Sequence, residues 1–164
     1  MHTLYFDDFS VGQTFTTRSA TLTEGEVVDF ALKYDPQPMH LDKHAATQGM
    51  FGGLIASGIQ SLALSLRLFI DLGLTIKSNI VGPGIDELRL VAPVRPGDTI
   101  HSVVEVVETR PSSSRPDRGS IRIAFTTRNQ DGDVVMTYTS SMILRRRSDD
   151  ETAARPANAR LAND

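Results

Sequence analysis

Ala56-Ser57-Gly58-Ile59-Gln60-Ser61-Leu62-Ala63-Leu64-Ser65-Leu66-Arg67-Leu68-Phe69-Ile70-Asp71-Leu72 is the stretch that decides the fold. Ile59, Leu62, Leu64, Leu66, Leu68, Phe69, Ile70 and Leu72 fall on nearly every side of a helix over 56–72, and Gly73 supplies a C-terminal stop. A helix that is apolar all round has to be wrapped by the rest of the chain. Gln60, Arg67 and Asp71 interrupt it, and it is too short for a bilayer, so the sequence predicts a core helix and no membrane span.

The wrapper is legible on both sides of this helix. Downstream, Asn79–Val91, Thr99–Thr109, Ser120–Asn129 and Val134–Arg146 read as strands separated by turn residues. Alternation is cleanest where Ile121, Ile123 and Phe125 interleave with Arg122, Ala124 and Thr126, and where Val134, Met136, Tyr138, Met142 and Leu144 share a face. Asp131-Gly132 marks a tight hairpin, and the polar run from Pro111 to Gly119 marks a surface loop. Upstream, Phe15 to Leu22 reads as a further strand. The expected architecture is α+β: an antiparallel sheet of about five strands curled around one long apolar helix.

Between the first strand and the core helix lies the chemistry. Thr23-Glu24-Gly25-Glu26 is a capping-box pattern opening a short helix, with Val27, Phe30, Ala31 and Tyr34 on one face. This helix delivers the chain to Asp35. Pro36 and Pro38 push Asp35 and Gln37 out of helical dihedrals, so Asp35 and His40 are expected on a stiffened turn, a placement suited to acid–base work. In isolation the same pair also fits a turn-capping aspartate beside a satisfied histidine. Ala45-Ala46 and the glycine-rich Gly52-Gly53-Leu54-Ile55-Ala56-Ser57-Gly58 follow, and backbone N–H groups at such a helix start can hold a developing oxyanion. His40 and His44 with Asp35 and Asp42 nearby also have the spacing of a metal site; no Glu follows His40 as a zinc-hydrolase motif requires, so no metal is expected and His44 reads as a solvated helix residue. The glycines lack the Lys-Ser or Lys-Thr of a phosphate loop.

Asp35-Pro36-Gln37-Pro38-Met39-His40, the Ala45-Ala46 pair, Ala56-Ser57-Gly58 before the apolar helix and the later Pro93-Val94-Arg95-Pro96-Gly97-Asp98 together resemble the MaoC-like dehydratases, the (R)-specific enoyl-CoA hydratase family, across about residues 8–146. The family motif runs Asp-x-Asn-Pro-x-His, and the interval from its histidine to its oxyanion-hole glycine matches His40 to Gly58. The resemblance implies a hot-dog fold and reversible hydration of a trans-2-enoyl thioester, a coenzyme A ester. It implies Asp35 and His40 as the acid–base pair, the Gly58 N–H as oxyanion donor, and no cofactor other than the coenzyme A of the substrate. Gln37, Met39, Phe51, Leu54 and Ser57 are the expected substrate-contacting residues, with Ser57 also able to cap the helix. Gln37 replaces the family asparagine with one more methylene, and a family serine on the helix falls at Leu66, next to Ser65.

With 164 residues the chain supports one domain, expected over 1–147, followed by a polar, alanine-rich tail over 148–164. A net charge of -3 gives no electrostatic reason to bind nucleic acid or an anionic membrane surface. The absence of cysteine excludes disulfides, thiolate metal sites and a cysteine nucleophile. No basic and apolar leader opens the chain, so a cytoplasmic protein is expected. An open sheet around one helix leaves a strand edge, which, with the resemblance, implies a homodimer or a higher even homo-oligomer. Two other readings use the same thioester handle: a hot-dog thioesterase, for which Asp71 is the only carboxylate between Ala56 and Leu72, and a non-catalytic acyl-thioester-binding protein.

Overall fold

A computed structural model describes residues 3–148. The expected tail over 148–164 lies outside the described residues beyond Ser148. The elements run β1 (Thr14–Thr16), β2 (Ala20–Thr21), α1 (Glu24–Tyr34), α2 (Pro38–Leu41), α3 (Lys43–Gln48), α4 (Gly58–Ile70), β3 (Asn79–Leu90), β4 (Thr99–Pro111), β5 (Arg118–Arg128) and β6 (Val134–Arg145). The strands form one antiparallel six-stranded sheet in the order β1-β4-β5-β6-β3, with β2 also on β4. With α4 packed on one face, this is the hot-dog fold.

Alternation does the expected work in β5, where Ile121, Ile123 and Phe125 are buried. In β6, Met136, Tyr138 and Leu144 are buried on the same side of the sheet. Phe125 stacks on Tyr138 with ring centroids 4.3 Å apart and meets Phe69 of α4 edge-on at 5.4 Å, so the aromatic contacts fix how the helix sits on the sheet. The hairpin at Asp131-Gly132 closes through the Asn129 N–H donating to the Asp133 carbonyl, with Gly132 at φ 85°.

Several expectations are corrected. The strand expected over Phe15–Leu22 is two short ones, with residues 17–19 outside the ladder; Thr17 bridges the break, its Oγ1 accepting from the Ser102 N–H. Strands β4 and β5 run longer than expected, to Pro111 and from Arg118, and shrink the polar loop between them. The core helix is shorter, Gly58–Ile70 rather than 56–72, since Ser57 caps its start. Nor is α4 wrapped all round: its buried residues are Gln60, Ser61, Ser65, Leu68 and Phe69, while Ile59 and Ile70 are exposed. The sheet covers one side only. Tyr34 is likewise 68% exposed, its ring tilted against Phe30 at 5.0 Å instead of packed inward.

Strand β3 is the long edge of the sheet, opposite the three-residue β1, and among the described strands it is bonded to β6 alone. Its register slips in three places, Glu87 has φ 55°, and Pro83 lies within it, which only an edge strand tolerates. Ile85, Leu88 and Leu90 are exposed along it. Among the described residues, no helix is long and apolar enough to cross a membrane.

Candidate active site

Asp35 is placed by where α1 stops. Thr23 caps the helix, its Oγ1 accepting from the Glu26 N–H at 3.2 Å while the Glu26 carboxylate accepts from the Thr23 N–H at 2.8 Å. The helix ends at Asp35, whose N–H still donates to the Ala31 carbonyl but whose ψ of 69° leaves the helix ahead of Pro36. Pro38 then begins α2 at its first position, where its missing N–H costs nothing. His40 is therefore on a short helix, not in the turn expected from sequence. His44 belongs to a separate helix, α3, capped by Asp42 through the Ala45 N–H, and is exposed.

His40 is buried, and its Nδ1 lies 2.8 Å from the Ile55 carbonyl. A carbonyl can only accept, so Nδ1 carries a proton, and the ring in its neutral form presents its lone pair at Nε2. That Nε2 stands 3.4 Å from Asp35 Oδ2. The same Oδ2 accepts from Ser57 Oγ at 2.6 Å, and Oδ1 accepts from Gln37 Nε2 at 2.7 Å. Ser57 foremost, then Gln37, hold the Asp35 carboxyl below the usual carboxylate range; partial burial opposes them, and the imidazole of His40 adds a smaller pull in the same direction. Asp35 is thus an ionised acceptor 3.4 Å from the one ring nitrogen of His40 that the Ile55 carbonyl leaves uncommitted.

This pair opens into a cavity of ≈ 460 Å³. Its walls include Gln37, Met39, Phe51, Ser57, Gly58 and the end of β3 at Leu88 and Leu90. Gly58 opens α4, so its N–H belongs to the first turn and has no intrahelical acceptor. A Cβ added at Gly58 would lie 2.3 Å from Leu90 Cδ1, so any larger residue there would have to displace the Leu90 side chain from the helix start. Phe51 is held at the cavity by Arg95, whose Nη2 donates to the Phe51 carbonyl at 2.6 Å. The loop there turns through Gly52 at φ 65°.

Asp35, Gln37, Met39, His40, Phe51, Ser57 and Gly58 are therefore brought to one cavity. Leu54 is not: it is buried away from the lining, its place at the wall taken by Ile55 and Ala56. Three features escaped the sequence. The Ile55 carbonyl sets the His40 tautomer, Arg95 holds Phe51, and β3 supplies a wall from far along the chain. Only Arg95, within the Pro93–Asp98 run, carried a signal.

Residues 8–126 match the family described as "MaoC like domain". The chain belongs to the MaoC-like family. Its relatives include the uncharacterized protein YdeM of Bacillus subtilis, 35% identical over 85% of this chain and 98% of that protein. The 3-hydroxybutyryl-CoA dehydratase of Methylorubrum extorquens is 32% identical over 70% of this chain and 71% of that enzyme. Among solved structures, a MaoC-like dehydratase from Rhodospirillum rubrum superimposes with a TM-score of 0.82, at 37% identity, over 88% of this chain and 99% of that one. The cavity thus belongs to a MaoC-like chain with its acidic and imidazole groups on the same side of the α4 N-terminus.

Proposed function

We propose that this protein reversibly hydrates a trans-2-enoyl thioester, a coenzyme A ester, to the (R)-3-hydroxyacyl form. The observation that carries the reading is the facing of Asp35 Oδ2 and His40 Nε2, 3.4 Å apart on a cavity that also holds the Gly58 N–H. Two acceptors so close are satisfied by one water donating to both. As the water oxygen attacks the β-carbon, one of the pair takes its proton, and a proton from the pair reaches the α-carbon on the same face. The C–O and C–H bonds formed replace one O–H bond and the conjugated double bond. No electrons are gained or lost, so the reaction requires no redox group. The carbonyl oxygen, negative while the enolate exists, is met by the Gly58 N–H and the positive end of α4.

Membership of the MaoC-like family and the dehydratase among the relatives support this reading. The thioesterase alternative gains nothing from the geometry, since Asp71 caps the far end of α4 and pairs with Arg67 at 3.3 Å. The second part of the proposal is a homodimer formed along the free β3 edge, whose exposed Ile85, Leu88 and Leu90 adjoin Ile59 and Ile70 of α4 in offering apolar surface to a second copy.

The decisive experiment incubates the protein with enoyl-CoA esters of increasing length, following loss of conjugated-thioester absorbance and free thiol in parallel, with chiral analysis of the product. Hydration to the (R)-alcohol without thiol release is expected. Thiol release without hydration would replace the proposal with the thioesterase.

A further inference from the structure

Two stretches far apart in the sequence meet in the wall of the acid–base cavity. The loop between α3 and α4 contributes Phe51, Ile55 and Ala56, and the connection from β3 to β4 contributes Pro93 and Val94. They are bonded at two points. The Ala56 N–H donates to the Val94 carbonyl at 2.8 Å, and the Arg95 guanidinium donates through Nη2 to the Phe51 carbonyl at 2.6 Å. The first is an ordinary backbone pair; the second commits an arginine side chain to a single carbonyl.

Arg95 is braced for this bond. Its N–H donates to Asp98 Oδ2 at 2.7 Å, and Asp98 Oδ1 accepts from Gln130 Nε2 at 3.1 Å, so the turn that carries it is held from behind. The guanidinium is half-buried and has no carboxylate partner among the described residues. With no anion to compete for it, the cation makes a charge-assisted bond to the carbonyl.

The loop depends on that bond for its orientation. The Gly52 N–H donates to the Gly49 carbonyl at 3.1 Å, closing a turn with Met50 and Phe51 at its centre. The two part ways there, since Met50 is 90% exposed and Phe51 lines the cavity. The turn's own hydrogen bond does not choose which central residue faces inward, and the two glycines that follow leave the backbone free to swing. The Arg95 bond, made to the Phe51 carbonyl, makes the choice.

Where Phe51 stands decides which part of a substrate it meets. Residues 54–57 run without helix or turn, with the Ile55 N–H donating to the Met39 carbonyl and the Ala56 N–H to the Val94 carbonyl. Phe51 precedes this extended run, the Ile55 carbonyl that holds His40 lies within it, and Gly58 follows it. A thioester whose carbonyl meets the Gly58 N–H and whose β-carbon meets Asp35 and His40 therefore directs the rest of its acyl chain toward Phe51.

We infer that Arg95 is a positioning residue that sets the acyl-length limit of this site: by holding the Phe51 carbonyl it keeps Phe51 as the end wall of the acyl cavity, and the preferred substrates are short-chain enoyl thioesters. The inference rests on the hydratase reading and deepens it by naming the acyl class and the side chain that enforces it.

The test measures kcat/KM for crotonyl-, hexenoyl-, octenoyl- and decenoyl-CoA and reads the decenoyl-to-crotonyl ratio. In the wild type the ratio should be about a tenth or lower, and in Arg95→Ala it should rise about tenfold or more, chiefly through KM for the long ester. Arg95→Lys, which keeps a cationic donor, should hold the ratio within about threefold of wild type. Phe51→Ala should raise the ratio at least as far as Arg95→Ala, and the double variant no further than Phe51→Ala, because Arg95 acts through Phe51. Arg95→Gln, whose amide falls short of the carbonyl, carries the same comparison should the alanine variant not fold. A wild type equally active on all four esters overturns the inference, as does an Arg95→Ala loss equal at every length, which marks a merely structural residue, or a double variant whose effect is the product of the two singles. Calorimetric titration with butyryl-CoA and decanoyl-CoA reads the same wall without turnover. A protein that hydrates nothing but whose preference for butyryl-CoA is lost in Arg95→Ala keeps the length limit and discards the hydratase reading; binding of neither ester discards both.

Discussion

Two polar clusters lie along the inward side of α4, about two helical turns apart. At its start, Ser57 donates to Asp35, which faces His40. Further along, Ser65 Oγ sits 2.8 Å from Ser102 Oγ, 3.2 Å from Thr127 Oγ1 and 3.0 Å from the Tyr138 hydroxyl, while Ser102 and Thr127 are 3.0 Å apart. All four of these residues are buried. Every hydroxyl of the second cluster finds its partners inside the protein, so it can only fix the packing of helix on sheet. The first cluster ends on a cavity with two acceptors facing each other, a geometry completed by something from outside. Satisfied polarity specifies structure, and polarity left incomplete beside a cavity is available for chemistry.

The contrast breaks most sharply at the acid–base pair. Asp35→Asn and His40→Gln are each expected to reduce kcat/KM about a thousandfold, with the double variant little worse than either, while unfolding free energy changes by no more than about 1–2 kcal/mol. Steady-state hydration beside denaturant unfolding checks it; folded variants retaining more than about a tenth of wild-type activity would make this cluster as structural as the other. Gly58→Ala comes next, with an expected loss of about a hundredfold as the new methyl crowds the helix start. Combining it with Leu90→Ala removes the 2.3 Å clash, so recovery in the double variant would show that packing against β3, and not the N–H site, was disturbed.

In the closed cluster the expectation reverses. Ser65→Ala should cost about 1–3 kcal/mol of stability by orphaning its neighbours, with kcat/KM of the folded variant within about threefold of wild type. Burial raises the Tyr138 hydroxyl's pKa, against a smaller opposing effect of the Ser65 bond. A folded pKa above the unfolded one gives stability that is complete below about pH 10 and is lost as pH rises toward the folded value, so thermal stability should fall above about pH 10 and Tyr138→Phe should abolish that dependence. The smallest effect belongs to Ser57→Ala. Without its main donor, Asp35 returns toward the ordinary carboxylate range, and the acid limb of the kcat/KM profile should move to higher pH. An unmoved limb would mean that the Ser57 bond does not tune the carboxylate.

Much of this was legible in the sequence where local rules act. The Thr23–Glu26 capping box, the alternation in β5 and the Asp131-Gly132 turn need only near neighbours, and each appears where expected. The inward side of α4 was misread because leucine is the conspicuous residue there, whereas the serines fit closer to the sheet and meet hydroxyls from β4, β5 and β6. Strand β3 was found, but its slips and its positive-φ Glu87 depend on pairing with β6, far along the sequence (Asn79 with Leu144, Leu90 with Met136). Residues 51 and 54 could not be told apart as cavity walls, since both are apolar and the choice is made by Arg95 binding the Phe51 carbonyl.

The cap on α1 has a further consequence. Thr23 and Glu26 fix where that helix begins, and Asp35 stands where it ends, so the helix acts as a ruler of set length. Adding one residue would turn everything beyond it by about 100° and push it along by about 1.5 Å. Side chains on the exposed face of α1 can therefore drift freely in evolution, while insertions and deletions between Thr23 and Asp35 should be purged, leaving a segment variable in composition and constant in length.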